Sequence, residues 1–141
     1  MNNLITLLEK QKQQLDSLTV LLESELHLIG TRDAESLTSV INDKSALLEA
    51  IAVTDKTIEQ QVEKHPDWAT EQEIKDLFDK INQSLSQCKF RTEINQKAVE
   101  QGQLRLQHLR SLLLESRAKE TMTYDKSGKP KGGSSGKSVT A

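Results

Sequence analysis

Residues 21–51 read LLESELHLIGTRDAESLTSVINDKSALLEAI, and this stretch decides the fold. Leucine, isoleucine and valine recur at three- and four-residue intervals on both sides of a polar break at residues 30–33. That spacing places the apolar side chains on one face of each of two helices. Gly30 suits the left-handed residue that closes a helix, and Asp33 or Thr31 can cap the next helix. So short a connection predicts an antiparallel helical hairpin.

The two helices of the hairpin are predicted over about residues 4–29 and 34–64, each with one seam of apolar residues that polar residues interrupt. The predicted seam is Leu8, Gln11, Leu15, Leu18, Leu22, Glu25 and Ile29 in the first helix, and Leu37, Ile41, Lys44, Leu48, Ile51, Asp55, Ile58 and Val62, broadened by Val40 and Leu47, in the second. The aliphatic stem of Lys44 can lie on the seam with its ammonium in water. The alternative is a functional role for Lys44, and a polar residue at this position can also fix the register of the helices.

A third helix is predicted over about residues 70–121, after a break at residues 65–68 (HPDW). The proline disfavours helix at the residue before it, and Thr70 with Glu73 forms a capping-box pattern. Trp68 is expected to pack on the end of the bundle, with a binding role as the alternative. The chain is therefore predicted to be all-α, an antiparallel, coiled-coil-like three-helix bundle.

The seam of the third helix is long, and it is weak in the middle. It is predicted as Ile74, Phe78, Ile81, Leu85, Cys88, Thr92, Asn95, Val99, Gly102, Leu106, Leu109 and Leu113. Cys88 is interpreted as a small buried hydrophobe, because no histidine or aspartate lies near it in the sequence to activate a nucleophile. As the lone cysteine, it also excludes an internal disulfide.

The C-terminal part of the third helix is the candidate functional site. The second helix spans about as many residues as the third helix has from its start to about residue 100. Residues 101–121 are therefore expected to extend beyond the hairpin by roughly 30 Å, with Gly102 as the easiest point of fraying. This stretch contains Leu104, Leu106, Leu109, Leu112, Leu113 and Leu114. Exposed leucines at this density indicate an interaction site for a partner. The alternative is packing on the first helix or self-association as a coiled coil.

Composition favours long exposed helices and a helical domain over residues 1–124. Aromatic residues are 3 % and hydrophobic residues 35 % of the chain, too few for a strand-rich fold. Residues 125–141 form a Gly/Ser/Lys tail with too little apolar surface to order itself, so the tail is predicted to be disordered. The net charge is −2, and residues 126–141 carry four lysines and no acid, which leaves −2 − 4 = −6 for the rest. That balance disfavours a nucleic-acid partner.

The sequence offers no pattern for catalysis or for a cofactor. The three histidines are scattered, no Cys/His set has metal-ligand spacing, and no glycine loop precedes a helix to cradle phosphate. We therefore expect no enzyme, no metal and no cofactor. The N-terminus lacks the pattern of a signal peptide, and no apolar run is long enough to span a membrane. The cytoplasm is the expected compartment.

Two blocks of the chain resemble one family, the FlgN-type flagellar export chaperones, and the resemblance covers residues 4–128. The first block is residues 21–51, where family members carry L-x-x-[IV]-x-x-[EDN]-K-x-x-L-L after a short turn. The matching residues are Leu37, Val40, Ile41, Asp43, Lys44, Leu47 and Leu48. The second block is the C-terminal Thr123, Tyr124, Asp125 and Gly128.

This resemblance implies a cytoplasmic chaperone of the flagellar type III export system. Such proteins hold the hook–filament junction proteins by their C-terminal helical segments, keep them unassembled and deliver them to the export gate at the membrane. The leucines between Leu104 and Leu114 match the family's client-binding part. Tyr124 matches a tyrosine linked to docking on the cytoplasmic domain of the gate. The alternative from the residues alone is a structural coiled-coil adaptor that homo-oligomerises through the same leucines.

Overall fold

The structure is a computed structural model that describes the backbone of residues 1–125 and the side chains of residues 1–121. The described chain is helical and contains no strand: α1 spans Asn2–Ile29, α2 spans Ala34–Lys64, a short 3-10 helix covers Pro66–Thr70, and α3 spans Gln72–Asp125. The prediction of an all-α fold with three helices and a long third one is confirmed. The predicted tail beyond α3 lies outside the described residues. The chain divides into two compact units, residues 1–98 and the residues from 99 onward.

The turn between α1 and α2 has the predicted length but a different backbone conformation at Gly30. Gly30 has φ −81° and ψ −3°, so the expected left-handed conformation is wrong. The amide and the hydroxyl of Thr31 both donate to the carbonyl of Leu28, at 3.0 and 2.9 Å, and this turn needs only right-handed geometry. Asp33 caps α2 by accepting from the hydroxyl of Ser36 at 2.6 Å and from its amide at 3.0 Å. These hydrogen bonds, the hydroxyl first, hold the pKa of Asp33 below its usual value.

The connection from α2 to α3 packs against the bundle through Trp68, whose ring stacks on that of His65. The rings of His65 and Trp68 stack with their centroids 3.8 Å apart, and half-buried Trp68 packs against the core as predicted. The expected capping box at Thr70 and Glu73 is wrong. Thr70 belongs to the 3-10 helix, so its hydroxyl donates to the carbonyl of Asp67 at 2.7 Å. Helix α3 begins after it, at Gln72.

The core lies within residues 1–98, mostly between α1 and α3, and Ile58 of α2 completes it. The buried residues of α1 are spaced alternately by four and three positions along the helix. Those of α3 recur at every seventh position. The buried residues are Leu4, Leu8, Gln11, Leu15, Leu18, Leu22 and Glu25 in α1, and Ile74, Ile81, Cys88 and Asn95 in α3. The predicted seam of α1 is confirmed from Leu8 to Glu25, and so is the burial of Cys88. The predicted seam of α3 is wrong at Leu85, Thr92 and Val99, which are exposed. The Cys88 thiol lies 3.3 Å from the Leu15 carbonyl, and Asn95 donates to the Leu22 carbonyl at 2.9 Å. The two helices therefore run parallel with a common seven-residue step.

The predicted seam of α2 is confirmed at Leu37, Lys44, Ile51 and Ile58, which are partly or fully buried, whereas its positions at 41, 48 and 55 are displaced by one residue. Ile41 and Leu48 are 44 % and 47 % exposed, whereas Val40 and Leu47 are partly buried and Thr54 is buried. The residues at 40 and 41, and those at 47 and 48, are both apolar, so the periodicity fits two rotations of the helix equally well. Packing against α1 selects the rotation that uses Val40 and Leu47.

A polar layer joins all three helices near the end of the first unit. The carboxylate of Glu25 accepts from the Lys44 ammonium at 2.6 Å and from the Asn95 side-chain amide at 2.8 Å. The Glu25 side chain is only 9 % exposed, and that of Lys44 is 26 % exposed. Lys44 is partly buried on the seam, as expected, and its ammonium binds a buried carboxylate, which the sequence did not predict. A second cross-helix contact, from Gln11 to Asp55 at 3.1 Å, joins the interrupted positions of the two seams.

Candidate partner-binding face on helix α3

The leucines predicted as the interaction site are mostly exposed. The exposed fractions are 63 % for Leu104, 67 % for Leu106, 53 % for Leu109, 48 % for Leu112 and 55 % for Leu113, while Leu114 is half-buried. They belong to the second unit, in a stretch where α3 is one continuous helix. Large apolar side chains exposed in series along one helix are what a partner-binding surface requires.

The helix does not bring all six leucines to one face. At about 100° per residue, Leu106, Leu109 and Leu113 form one stripe, and Leu112 lies at its edge. We call Leu106, Leu109, Leu112 and Leu113 the leucine face. Leu104 lies on nearly the opposite side of the helix, and Leu114 lies about a third of a turn away from the stripe. A cluster that is dense in sequence is thus split by the helical period, and four of its members share a surface.

Arginines border the leucine face. By the same helical spacing, Arg105 lies along one edge of the stripe, and Arg110 and Arg117 lie along the other edge. All three side chains are exposed. The acidic residues Glu100 and Glu115 lie on the far side of the helix. The stripe itself ends in polar residues, Ser116 and Glu120.

A second set of exposed apolar side chains occurs in the first unit, and the sequence reasoning missed it. Ile41 and Leu48 on α2 and Leu85 on α3 are each exposed by more than a third. Towards the other end of the bundle, the space between these helices is lined by Ile58, Val62 and Phe78, among others. The doubled apolar positions at 40/41 and 47/48 were the signal, because only one residue of each pair can face α1.

Tyr124 lies in the last turn of α3, and its side chain lies outside the described residues. Within the described part of the chain, no group of three or more His, Cys, Asp or Glu side chains is placed to hold a metal ion. None of the helices in that part has the length and hydropathy to cross a membrane.

The ionisable residue Asp16 lies at the edge where α1 meets α3. Its carboxylate accepts from the Lys12 ammonium at 2.8 Å and from the Ser84 hydroxyl at 3.1 Å. The hydrogen bond from Lys12, and after it that from Ser84, lowers the pKa of Asp16 against the opposing effect of partial burial. Nearby, Arg91 pairs with Glu23 at 2.9 Å. These groups are exposed links between two helices, and they form no enclosed site.

Comparison with known proteins identifies the family. The family model described as FlgN protein matches residues 1–132, nearly the whole chain. No curated protein and no solved structure matches the chain. The match spans both the hairpin block and the leucine face. The chain therefore belongs to the FlgN family of flagellar export chaperones.

Proposed function

We propose that this protein binds the C-terminal helical segments of hook–filament junction proteins through the leucine face. In doing so it keeps these clients from assembling prematurely in the cytoplasm, and it delivers them to the type III export gate. The observation that carries the proposal is the exposure of Leu106, Leu109, Leu112 and Leu113 along one stripe of a helix. Membership in the FlgN family supports flagellar proteins as the class of client.

The binding energy in this mechanism comes from apolar burial. A client segment that packs inside a filament is apolar on one face, and the leucine face covers it at about 25 cal/mol per Å² of apolar area removed from water. An amphipathic helix that lies against another helix is a common way to recognise such a segment. If part of the stretch after Gly102 orders only on binding, the cost of ordering lowers the affinity and eases release.

Delivery to the gate is assigned to the C-terminal end of α3. Tyr124 matches the family tyrosine associated with docking on the cytoplasmic domain of the gate. Because Tyr124 follows the leucine face by about three helical turns, one chain can hold a client and present the docking residue at the same time. Leu104 and Leu114 belong to the sequence cluster, but their position on the helix gives them no place in the proposed contact.

The test is a pair of matched substitutions on the same helix. Leu109→Asp puts a charge in the centre of the leucine face and should reduce capture of a junction protein by at least about tenfold, since the bound client would cover a charge in place of a leucine. Leu104→Asp makes the same change at a comparably exposed leucine on the opposite side and should leave capture unchanged. Capture is measured by pull-down of the intact junction protein.

Two controls make the result specific. A junction protein that lacks its C-terminal helical segment should not be captured by the unaltered chain. Circular dichroism should show the same helix content in both variants, because neither leucine belongs to the buried core. Equal loss of capture in both variants, or retained capture in Leu109→Asp, would move the client site away from the leucine face.

A further inference from the structure

We infer that the leucine face selects a helix whose apolar stripe is bordered by aspartate or glutamate, and that Arg105, Arg110 and Arg117 make this selection. The inference rests on the proposed function and specifies the chemistry of the partner at the same site. It concerns which helical segments bind, whereas the proposed function concerns whether a helical client binds there at all.

The positions of the arginines are those that determine partner choice in helix pairs. In a heptad with Leu106 and Leu113 at a and Leu109 at d, Arg105 occupies g, and Arg110 and Arg117 occupy e. Side chains at e and g lie beside the apolar seam and meet the e and g side chains of the opposite helix. No acidic residue occupies an e or g position between residues 103 and 119. The border of the stripe is therefore positive wherever it is charged.

These guanidinium groups are also available for a partner. Among the side chains of residues 1–121, the ion pairs of this segment include Lys119 with Glu115 at 3.6 Å, and none involves Arg105, Arg110 or Arg117. Of the acids in this part of the helix, Glu100 and Glu115 lie on the opposite side, and Glu120, one turn after Arg117, forms no ion pair with it. An arginine is well suited to pair with a carboxylate because its planar fork can bind both oxygens.

A helix is the occupant that fits this stripe. Upstream on α3, the column Ile74, Ile81, Cys88 and Asn95 is already buried against a helix, α1. The same seven-residue step continues in sequence through Gly102 and Leu109. A membrane surface would favour a broad apolar face with a uniformly basic polar face. Here the far side of the helix carries Glu100 and Glu115, which an anionic surface would repel.

A second copy of the chain is a poor partner for the leucine face. In a parallel pair of identical helices the g residue of one copy faces the e residue of the other, so Arg105 would face Arg110 of the second copy. In an antiparallel pair, residues at e face e and residues at g face g, which again brings cations together. Like charges at these positions destabilise a helix pair, so the arginines disfavour the homo-oligomer and favour a partner with acidic borders.

The experiment uses two synthetic helices with the same leucine stripe, one bordered by glutamate and the other by lysine. Each is titrated against the full-length protein by fluorescence anisotropy. An exposed ion pair changes affinity by a factor of about two to five, so three pairs predict that the glutamate helix binds about 10- to 100-fold more tightly. The difference should shrink as salt is raised, because screening weakens exposed pairs.

Charge reversal in the protein supplies the second arm. The triple variant Arg105→Glu, Arg110→Glu and Arg117→Glu should reverse the preference, so that the lysine helix binds more tightly. A matched variant with the same change in net charge, Lys10→Glu, Lys56→Glu and Lys89→Glu, alters exposed lysines of the first unit and should keep the original preference.

The remaining outcomes overturn the inference in distinguishable ways. Equal affinity for both helices, together with loss of junction-protein capture in Leu109→Asp, would contradict selection by charge but support the proposed function. Capture that survives Leu109→Asp would contradict both selection by charge and client binding at the leucine face. Tighter binding to anionic lipid vesicles than to the glutamate helix would assign the arginines to a membrane surface. Dimers of the free protein in sedimentation that Leu109→Asp abolishes would assign the face to a second copy.

Discussion

Glu25 is the residue whose environment is least expected from its chemistry. Its carboxylate is buried at a seam position that leucines occupy elsewhere in α1, and it is held there by Lys44 from α2 and Asn95 from α3. Replacing such a layer by apolar residues often costs no stability, so its value lies in specifying which positions meet. A leucine seam alone tolerates a shift by one heptad, whereas this layer satisfies the carboxylate in one register only.

Removal of Lys44 tests this view at the scale of one residue. Lys44→Met keeps the aliphatic length and leaves Glu25 with one of its two partners, so the free energy of unfolding should fall by about 1–3 kcal/mol. Urea denaturation followed by circular dichroism measures the change. Lys56→Met, at an exposed position of the same helix, should change the free energy of unfolding by less than about 0.5 kcal/mol. A Lys44→Met protein as stable as the unaltered chain would mean that Asn95 and water suffice for Glu25.

At the scale of the element, periodicity predicted where helices lie better than how they are rotated. The seam of α1 was predicted correctly from Leu8 to Glu25, because one alternation of four- and three-residue steps runs through it despite apolar neighbours at Leu7 and Leu21. In α2, the pairs Val40–Ile41 and Leu47–Leu48 leave the rotation undetermined, and contacts with α1 that are distant in sequence decide it. The capping pattern at Thr70 failed for a related reason, since a local 3-10 helix uses the same hydroxyl.

Gly102 offers a prediction about the stability of one helical segment. A Cβ added at this position would meet nothing within 4 Å, so Gly102→Ala removes the entropic cost of glycine without a steric penalty. We expect a gain of about 0.5–1 kcal/mol in local helix stability. Hydrogen exchange should show slower exchange of the amides around residues 99–110. If ordering accompanies client binding, the same variant should also bind its client more tightly, because less entropy remains to be lost.

The control for this prediction is Gln101→Ala, which changes an exposed neighbour between two good helix formers. Its effect on amide exchange should be small. Exchange in Gly102→Ala that matches the unaltered chain would show that the segment is already held in its helical state by something other than its own propensity.

At the scale of the whole molecule, the sequence was sufficient for the helical class, the hairpin and the stretch that carries the exposed leucines. It was insufficient for the surface that these leucines form. Six leucines within eleven residues look like one cluster in a printed sequence, yet a helix turns Leu104 away from Leu109 and sets Arg105 and Arg110 on either side of the stripe. The chemistry of the candidate site comes from this arrangement of leucines and arginines around the helix. The arrangement holds only because the segment is one continuous helix.

The division into two units leads to a prediction for a truncated chain. All buried hydrophobic residues of the described structure, from Leu4 to Cys88, lie in the first unit, and so does the polar layer that ends with Asn95. A chain that ends at Gln101 should therefore unfold in urea at nearly the same midpoint as the full-length protein, while it captures no junction protein. The slope of the transition should also change little, because the slope follows the surface buried on folding and the removed leucines are mostly exposed. A markedly lower midpoint would instead show that the leucine segment stabilises the bundle, and retained capture would place the client site within residues 1–101, where Ile41, Leu48 and Leu85 are among the exposed apolar side chains.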